Sequence, residues 1–188
     1  MKRIHIGDKE FELSIPEKEI LSAVNKVSQL IQRDYADKNP LFVIVLNGAF
    51  VFAADLLRTL DISYQFTFTK FSSYEGTSST GTITEQLPIG EDLAGRHVII
   101  IEDIIDTGYS MQYLLKQVHN LHPASLEICA LSFKPSNCKV KDLSVKYIGM
   151  NLPDDFIVGY GLDYNQQGRG LRDIYTLVKE WRENVTSP

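Results

Sequence analysis

Val98-Ile99-Ile100-Ile101-Glu102-Asp103-Ile104-Ile105-Asp106-Thr107-Gly108-Tyr109-Ser110 is the stretch on which the fold turns. Four β-branched apolar residues in succession are too few for a helix and show no alternation, so they read as a strand buried on both faces, as in a parallel sheet. The carboxyl end of such a strand is where open α/β sheets bind ligands. A polar turn from Asp106 to Ser110 follows, and then a helical stripe at Met111, Leu114, Leu115, Val118 and Leu121. Strand, tight turn and helix amino terminus aim free backbone N–H groups and the positive end of the helix dipole at one point. Thr107 and Ser110 add hydroxyl donors, and the turn suits a phosphate.

Glu102 and Asp103 complicate that picture, because a carboxylate about 4 Å from another anion costs on the order of 4 kcal/mol at an effective dielectric near 20. Polyol hydroxyls that donate to the acids, and a hard cation such as magnesium, are the two natural ways to offset it. A phosphorylated sugar supplies both phosphate and hydroxyls. The stretch resembles the phosphoribosyl pyrophosphate signature of the type I phosphoribosyltransferases: an apolar strand, two acids, two apolar residues, then Asp-Thr-Gly and a hydroxyl residue.

Composition limits the alternatives. At 188 residues, with nothing resembling an internal linker, the chain is expected to form one domain over 1–188. The apolar and charged fractions, 44% and 23%, are those of an ordinary globular protein. A formal charge of −5 disfavours nucleic acid as a partner, so an anionic substrate has to be held locally. Neither a signal peptide nor a membrane span is expected, and the cysteines Cys129 and Cys138 fit reduced thiols in a cytoplasmic protein. His5, His97, His119 and His122 show no metal-ligand spacing.

Around the central stretch the chain repeats strand and helix. Residues 1–13 alternate weakly, as a short strand or hairpin. Ser14-Ile15-Pro16-Glu17 reads as a capping box before a helix with the stripe Ile20, Leu21, Val24, Val27 and Ile31. Leu41 to Leu46 is a second buried strand, and Asn47-Gly48-Ala49 turns into a helix expected to bury Phe50, Ala53, Ala54 and Leu57. That turn is a second anion site on the same sheet edge. Residues 64–71 alternate as a strand with one less buried face, and the polar stretch 72–82 has almost nothing to bury. Residues 83–87 return as a strand, 125–133 form another core strand closed by Lys134-Pro135, and 145–150 and 174–178 give two more, with Trp181 packing the tail. Strand, helix and strand in this order predict a right-handed parallel architecture.

Three further stretches resemble purine phosphoribosyltransferases. Asn47-Gly48-Ala49 is similar to their pyrophosphate loop, with Asn47 where a lysine is common and the backbone donors kept. Ser73-Tyr74 resembles the serine-tyrosine pair of the flexible catalytic loop in hypoxanthine-guanine phosphoribosyltransferases. Phe156-Ile157-Val158-Gly159-Tyr160, the turn Leu162-Asp163-Tyr164-Asn165 and Arg169 resemble their purine-binding segment. From Leu41 to Arg169 the chain is therefore similar to that family.

The resemblance implies an α/β fold, a parallel five-stranded sheet flanked by helices, with a small hood from segments near both chain ends that holds the base. It implies purine salvage: phosphoribosyl pyrophosphate and hypoxanthine or guanine giving IMP or GMP and pyrophosphate. A xanthine-preferring enzyme and a non-catalytic phosphoribosyl pyrophosphate-sensing regulator are the alternatives. Asp106 through Thr107, Gly108, Tyr109 and Ser110 would bind the 5′-phosphate, Tyr109 standing where a lysine is common. Glu102 and Asp103 would face ribose hydroxyls and Mg2+, with Asp163 near a second Mg2+ and Arg169 on the leaving group. Asp106 would exchange the proton of purine N7, Lys134 would donate to the 6-oxo group, Phe156 would stack on the base and Ile157 would offer backbone groups. Family members form homodimers or homotetramers, and the same is expected here.

Overall fold

The computed structural model describes residues 2–73 and 83–178. A hairpin of β1 (Arg3–Ile6) and β2 (Lys9–Ile15) opens the chain, followed by α1 (Glu17–Tyr35), β3 (Leu41–Leu46), α2 (Phe50–Thr59), β4 (Gln65–Ser73) and β5 (Ile83–Leu87). Then come β6 (His97–Ile105), α3 (Tyr109–His119), β7 (Ser125–Phe133), β8 (Tyr147–Asn151), β9 (Ile157–Val158) and β10 (Ile174–Leu177). The central sheet has the order β5-β4-β3-β6-β7-β8. Five of its strands run parallel, as expected, and β5 is added antiparallel at the edge as a sixth.

The absence of alternation in β6 has a direct cause. Ile99 and Ile101 point to the face covered by α1 and α2, where they meet the cluster of Val24, Phe52 and Leu56. Val98 and Ile100 point to the opposite face and join Met111, Leu114 and Val118 of α3. All four are fully buried, and each such side chain contributes about 1.5–3 kcal/mol. A strand covered on both sides has no polar face to show.

A second sheet, ordered β1-β2-β10-β9, joins the amino-terminal hairpin to the last two strands around Ile6, Phe11, Val158 and Tyr175. It sits over the carboxyl end of the main sheet through Gly161, whose left-handed φ of 99° brings it against the Gly48 carbonyl.

Several local expectations need correction. Ser14 does not cap α1: it lies in β2, Pro16 occupies the N-cap without a side-chain bond, and the Glu17 N–H instead donates to Asp173 Oδ1 at 2.9 Å. A distant carboxylate thus does the work of a local cap. Leu21 is 37% exposed, and Ser28 and Tyr35 complete the buried stripe. Helix α2 buries Phe52, Ala53, Leu56 and Leu57, while Phe50 is 59% exposed: the buried face keeps Ala53 and Leu57 of the expected one and is offset from it by about a quarter of a turn. Strand β6 runs on to Ile105, which puts Glu102 and Asp103 inside the strand and leaves the polar turn to begin at Asp106, where the sequence placed it. Leu121 falls beyond α3 and is exposed. Tyr74, the stretch that follows it to residue 82, the Ser73 side chain and Trp181 lie outside the described residues.

Candidate active site

Three parallel strands end side by side, β3 into Asn47-Gly48-Ala49, β6 into Asp106-Thr107-Gly108 and β7 into Lys134. The site is built from these ends. Gly108, at φ 86°, turns the chain into α3, whose amino end carries no side-chain cap. A hollow of 120 Å3 lies over it, lined by Glu102, Asp106, Thr107, Gly108 and Ser110. Thr107, Tyr109 and Ser110 are exposed at its mouth. An unblocked helix amino terminus with hydroxyls around it is an anion site. A larger cavity of 520 Å3 lies between α3 and the segment 140–144 and includes none of these catalytic candidates.

Pleating sends the two adjacent acids to opposite faces of β6. Glu102 faces the hollow beside Ser110, whereas Asp103 lies against Gly48 so closely that any Cβ there would overlap its carboxylate. Burial, then the neighbouring Asp103, pushes the Glu102 carboxyl well above its usual range. Burial raises Asp103 too, against the opposing hydrogen bonds, among them the Ile104 N–H to its Oδ1 at 2.9 Å. Two adjacent buried carboxylates raised in this way are stabilised in their charged form by positive charge or hydroxyl donors placed beside them.

Lys134 closes β7 with only 5% of its surface exposed. Its ammonium lies 3.3 Å from Asp106 Oδ2 and 3.7 Å from Asp154 Oδ1. Asn137 Nδ2 donates to Asp106 Oδ1 at 2.5 Å, so both oxygens of Asp106 have a donor. Two residues after Asp154, Phe156 is 47% exposed, its ring set edge-on to Tyr164 at 6.0 Å and tilted against Phe11 at 6.3 Å. Its neighbour Ile157 is held in β9 opposite Thr176.

Asp163 and Arg169 close the turn after Gly161. Arg169 Nη2 pairs with Asp163 Oδ1 at 2.5 Å, Arg169 Nη1 donates to the Gly161 carbonyl at 2.8 Å, and the Gln166 N–H donates to Asp163 Oδ2 at 2.8 Å. Asp163 therefore has both oxygens engaged. Among the described residues no cluster of three or more acids, histidines or cysteines is gathered for a metal. Two strand carboxylates suit magnesium, which is commonly held by one or two carboxylates with substrate oxygens filling the rest of its shell.

Of the residues singled out from sequence, Glu102, Asp103, Asp106, Thr107, Gly108, Tyr109, Ser110 and Lys134 come together, with exposed Asn47 and half-buried Gly48 beside Asp103. Asn137, Asp154 and Gly161 were missed. Asn137 lies in Lys134-Pro135-Ser136-Asn137, which reads only as a turn, and nothing local announces that its amide reaches back to Asp106.

The strand-end geometry defines a phosphosugar-binding α/β protein, and the comparisons give its family. Residues 16–165 match the phosphoribosyl transferase domain, and the chain belongs to that family. Within it the chain is similar to enzymes named for hypoxanthine and guanine. It is 39% identical over 170 residues to the hypoxanthine phosphoribosyltransferase of Escherichia coli K12, covering 89% of this chain and 95% of that one. It is 37% identical over 162 residues to the hypoxanthine-guanine-xanthine phosphoribosyltransferase of Tritrichomonas foetus, covering 86% and 88%. The crystal structure of a Bacillus anthracis hypoxanthine-guanine phosphoribosyltransferase with HEPES in its active site superposes with a TM-score of 0.84 at 36% identity, covering 89% and 98%.

Proposed function

We propose that the chain is a purine-salvage enzyme that joins hypoxanthine or guanine to phosphoribosyl pyrophosphate, giving IMP or GMP and pyrophosphate. The observation that carries the reading is Lys134, a buried obligate donor, set against Asp106 at the mouth of a phosphate-sized hollow. Relatives named for this chemistry over most of the chain support it.

In this reaction the bond from C1′ to the pyrophosphate oxygen breaks, its electron pair leaves with pyrophosphate, and purine N9 forms the new bond to C1′. The loop from Asp106 to Ser110 binds the 5′-phosphate by backbone donors and the Thr107 and Ser110 hydroxyls. Glu102 and Asp103 orient the ribose hydroxyls and stabilise the oxocarbenium-like sugar. Asp106 takes the N7 proton as N9 bonds to the sugar. Lys134 donates to the 6-oxo group, Phe156 stacks on the ring and Ile157 presents its backbone to the base edge.

Glu102 and Asp103 would hold Mg2+, which screens the charge of the pyrophosphate when bound. Asp163 would serve a second ion and Arg169 the leaving group after their own pairing opens. Asn47 and Gly48 offer backbone contacts to the pyrophosphate, and the resemblance of Ser73-Tyr74 to the serine-tyrosine pair of the family gives these two residues the part of excluding water from the sugar cation. The chain works as one domain over 1–188 with the small sheet as hood, as a homodimer or homotetramer in the cytoplasm. No described helix is long and apolar enough to cross a membrane.

The test is nucleotide formation from each of hypoxanthine, guanine, xanthine and adenine with phosphoribosyl pyrophosphate, with and without magnesium. IMP and GMP formed only with the metal is the expected result, and no nucleotide from either base refutes the reading.

A further inference from the structure

We propose that Asn137 is a positioning residue, one that anchors a single oxygen of Asp106 so that the other oxygen receives the purine N7 proton while Lys134 moves onto the base. This rests on the function proposed above and assigns a part to a residue that no feature of the sequence singles out.

The argument starts from the two donors on Asp106. Lys134 approaches Oδ2 at 3.3 Å and also reaches Asp154 at 3.7 Å, from a flexible four-carbon stem. Asn137 donates to Oδ1 alone, from a short side chain. Its backbone is fastened on every side. The Asn137 and Cys138 N–H groups both donate to the Lys134 carbonyl at 3.1 Å, the Lys134 N–H donates to the Ile105 carbonyl at 2.9 Å, and the Lys139 N–H donates to the Thr107 carbonyl at 2.9 Å. The platform that carries Asn137 is therefore tied to the residue before Asp106 and to the residue after it. None of these bonds uses the Asn137 side chain, so the turn does not need its amide.

A 6-oxopurine asks two things of this corner: a donor for O6 and an acceptor for the N7 proton. Lys134 supplies the first by giving up part of its contact with Asp106. A carboxylate left with no second anchor rotates freely about its last bond, and the acceptor oxygen loses its aim. The amide of Asn137 keeps that bond fixed. An amide N–H donor takes no proton itself, which leaves Oδ2 as the receiving atom. Among the described residues, the charged or titratable groups around Asp106 include Lys134 at the end of β7, Asp154 in the segment before β9, Glu102 across the hollow, and Cys138 and Lys139 on the turn held against Thr107 and Gly108. All are retained when Asn137 alone is changed.

The experiment is the single-turnover rate of IMP formation for the wild-type chain, Asn137→Ala, the near-isosteric Asn137→Asp and Asn137→Gln, with the affinities for hypoxanthine and phosphoribosyl pyrophosphate measured alongside. Misaiming a reacting group is expected to lower the Asn137→Ala rate by about tenfold to a hundredfold at neutral pH, with both affinities within about twofold of wild type. Asn137→Asp, which offers no N–H donor, is expected to lose rate as Asn137→Ala does, whereas Asn137→Gln, which keeps an amide donor, is expected to recover part of it. A wild-type rate in Asn137→Ala, or affinities that fall while the rate stays, overturns the role of Asn137 even if the enzyme is active. A wild-type chain that forms no nucleotide overturns the functional reading and this inference together.

Discussion

Gly161 packs directly on Gly48, with no room for a Cβ on the first beside the carbonyl oxygen of the second. Gly48 in turn leaves no room for a Cβ beside the Asp103 carboxylate. Three segments far apart in sequence thus touch in one line: the segment that follows β9, the loop after β3 and the acidic end of β6. Arg169 ties the first of these down through the Gly161 carbonyl. The segment bearing Phe156 is registered against the loop after β3 by backbone, which no side-chain rotation can loosen.

Alanine at the two glycines should separate stability from function. Gly161→Ala forces a side chain into a left-handed backbone and against the Gly48 carbonyl, and a loss of about 1–3 kcal/mol is expected. Gly48→Ala can be accommodated by rotating Asp103 away, so thermal unfolding should change less while affinity for magnesium phosphoribosyl pyrophosphate falls. Equal melting temperatures for Gly161→Ala and wild type would show that the contact can open at little cost.

Adenine should fail as a substrate. Its 6-amino group would meet the Lys134 ammonium donor to donor in a buried place, and discrimination by such a mismatch reaches about 10⁴. Lys134→Gln, whose amide oxygen can accept, should narrow the ratio of hypoxanthine to adenine kcat/KM by at least about tenfold. A ratio unmoved by that substitution would take Lys134 out of base recognition.

What the sequence made legible was whatever rests on local pattern. Buried strands such as Leu41 to Leu46 and Ser125 to Phe133 were found to the residue, because covering on two faces removes alternation. The helix faces were less readable: an exposed Phe50 and Leu21 look apolar in sequence whichever way the helix is turned, and only packing decides. Asp173 as the acceptor for the Glu17 N–H was invisible for another reason, a separation of 156 positions. In the site the same division holds. Glu102, Asp103 and the phosphate loop lie consecutively and could be read together, whereas Asn137 and Asp154 earn their places by contacts between the ends of different strands.

The buried acids give a pH-dependent contrast. Glu102 titrates higher in the folded chain than in the unfolded one, through burial first and Asp103 second. A raised folded pKa means its favourable contribution is complete below the unfolded value and is lost as pH rises through the folded value. At neutral pH, without ligand, the fold therefore bears at Glu102 a cost that it does not bear in acid. Glu102→Gln is uncharged throughout, so its melting temperature should exceed wild type at pH 7.5, and the gain should shrink toward pH 4. Affinity for phosphoribosyl pyrophosphate with magnesium should fall in the same variant. A gain independent of pH would show that the group's ionisation is not its cause.

Asp106→Asn is the substitution that separates binding from chemistry. Asparagine keeps the size of the side chain and one oxygen for the donors that now hold Asp106, namely Lys134 and Asn137, so the loop after β6 and its phosphate contacts should persist. It cannot accept a proton at neutral pH. General-base contributions of this kind are worth about 10²–10⁴ in rate, and a loss of that size in kcat is expected. The dissociation constant for phosphoribosyl pyrophosphate, whose phosphate is held by backbone donors, should remain within about threefold of wild type. A variant that turns over at the wild-type rate removes Asp106 from proton transfer. One that loses affinity and rate together makes it a binding residue, with the N7 proton then passing to solvent.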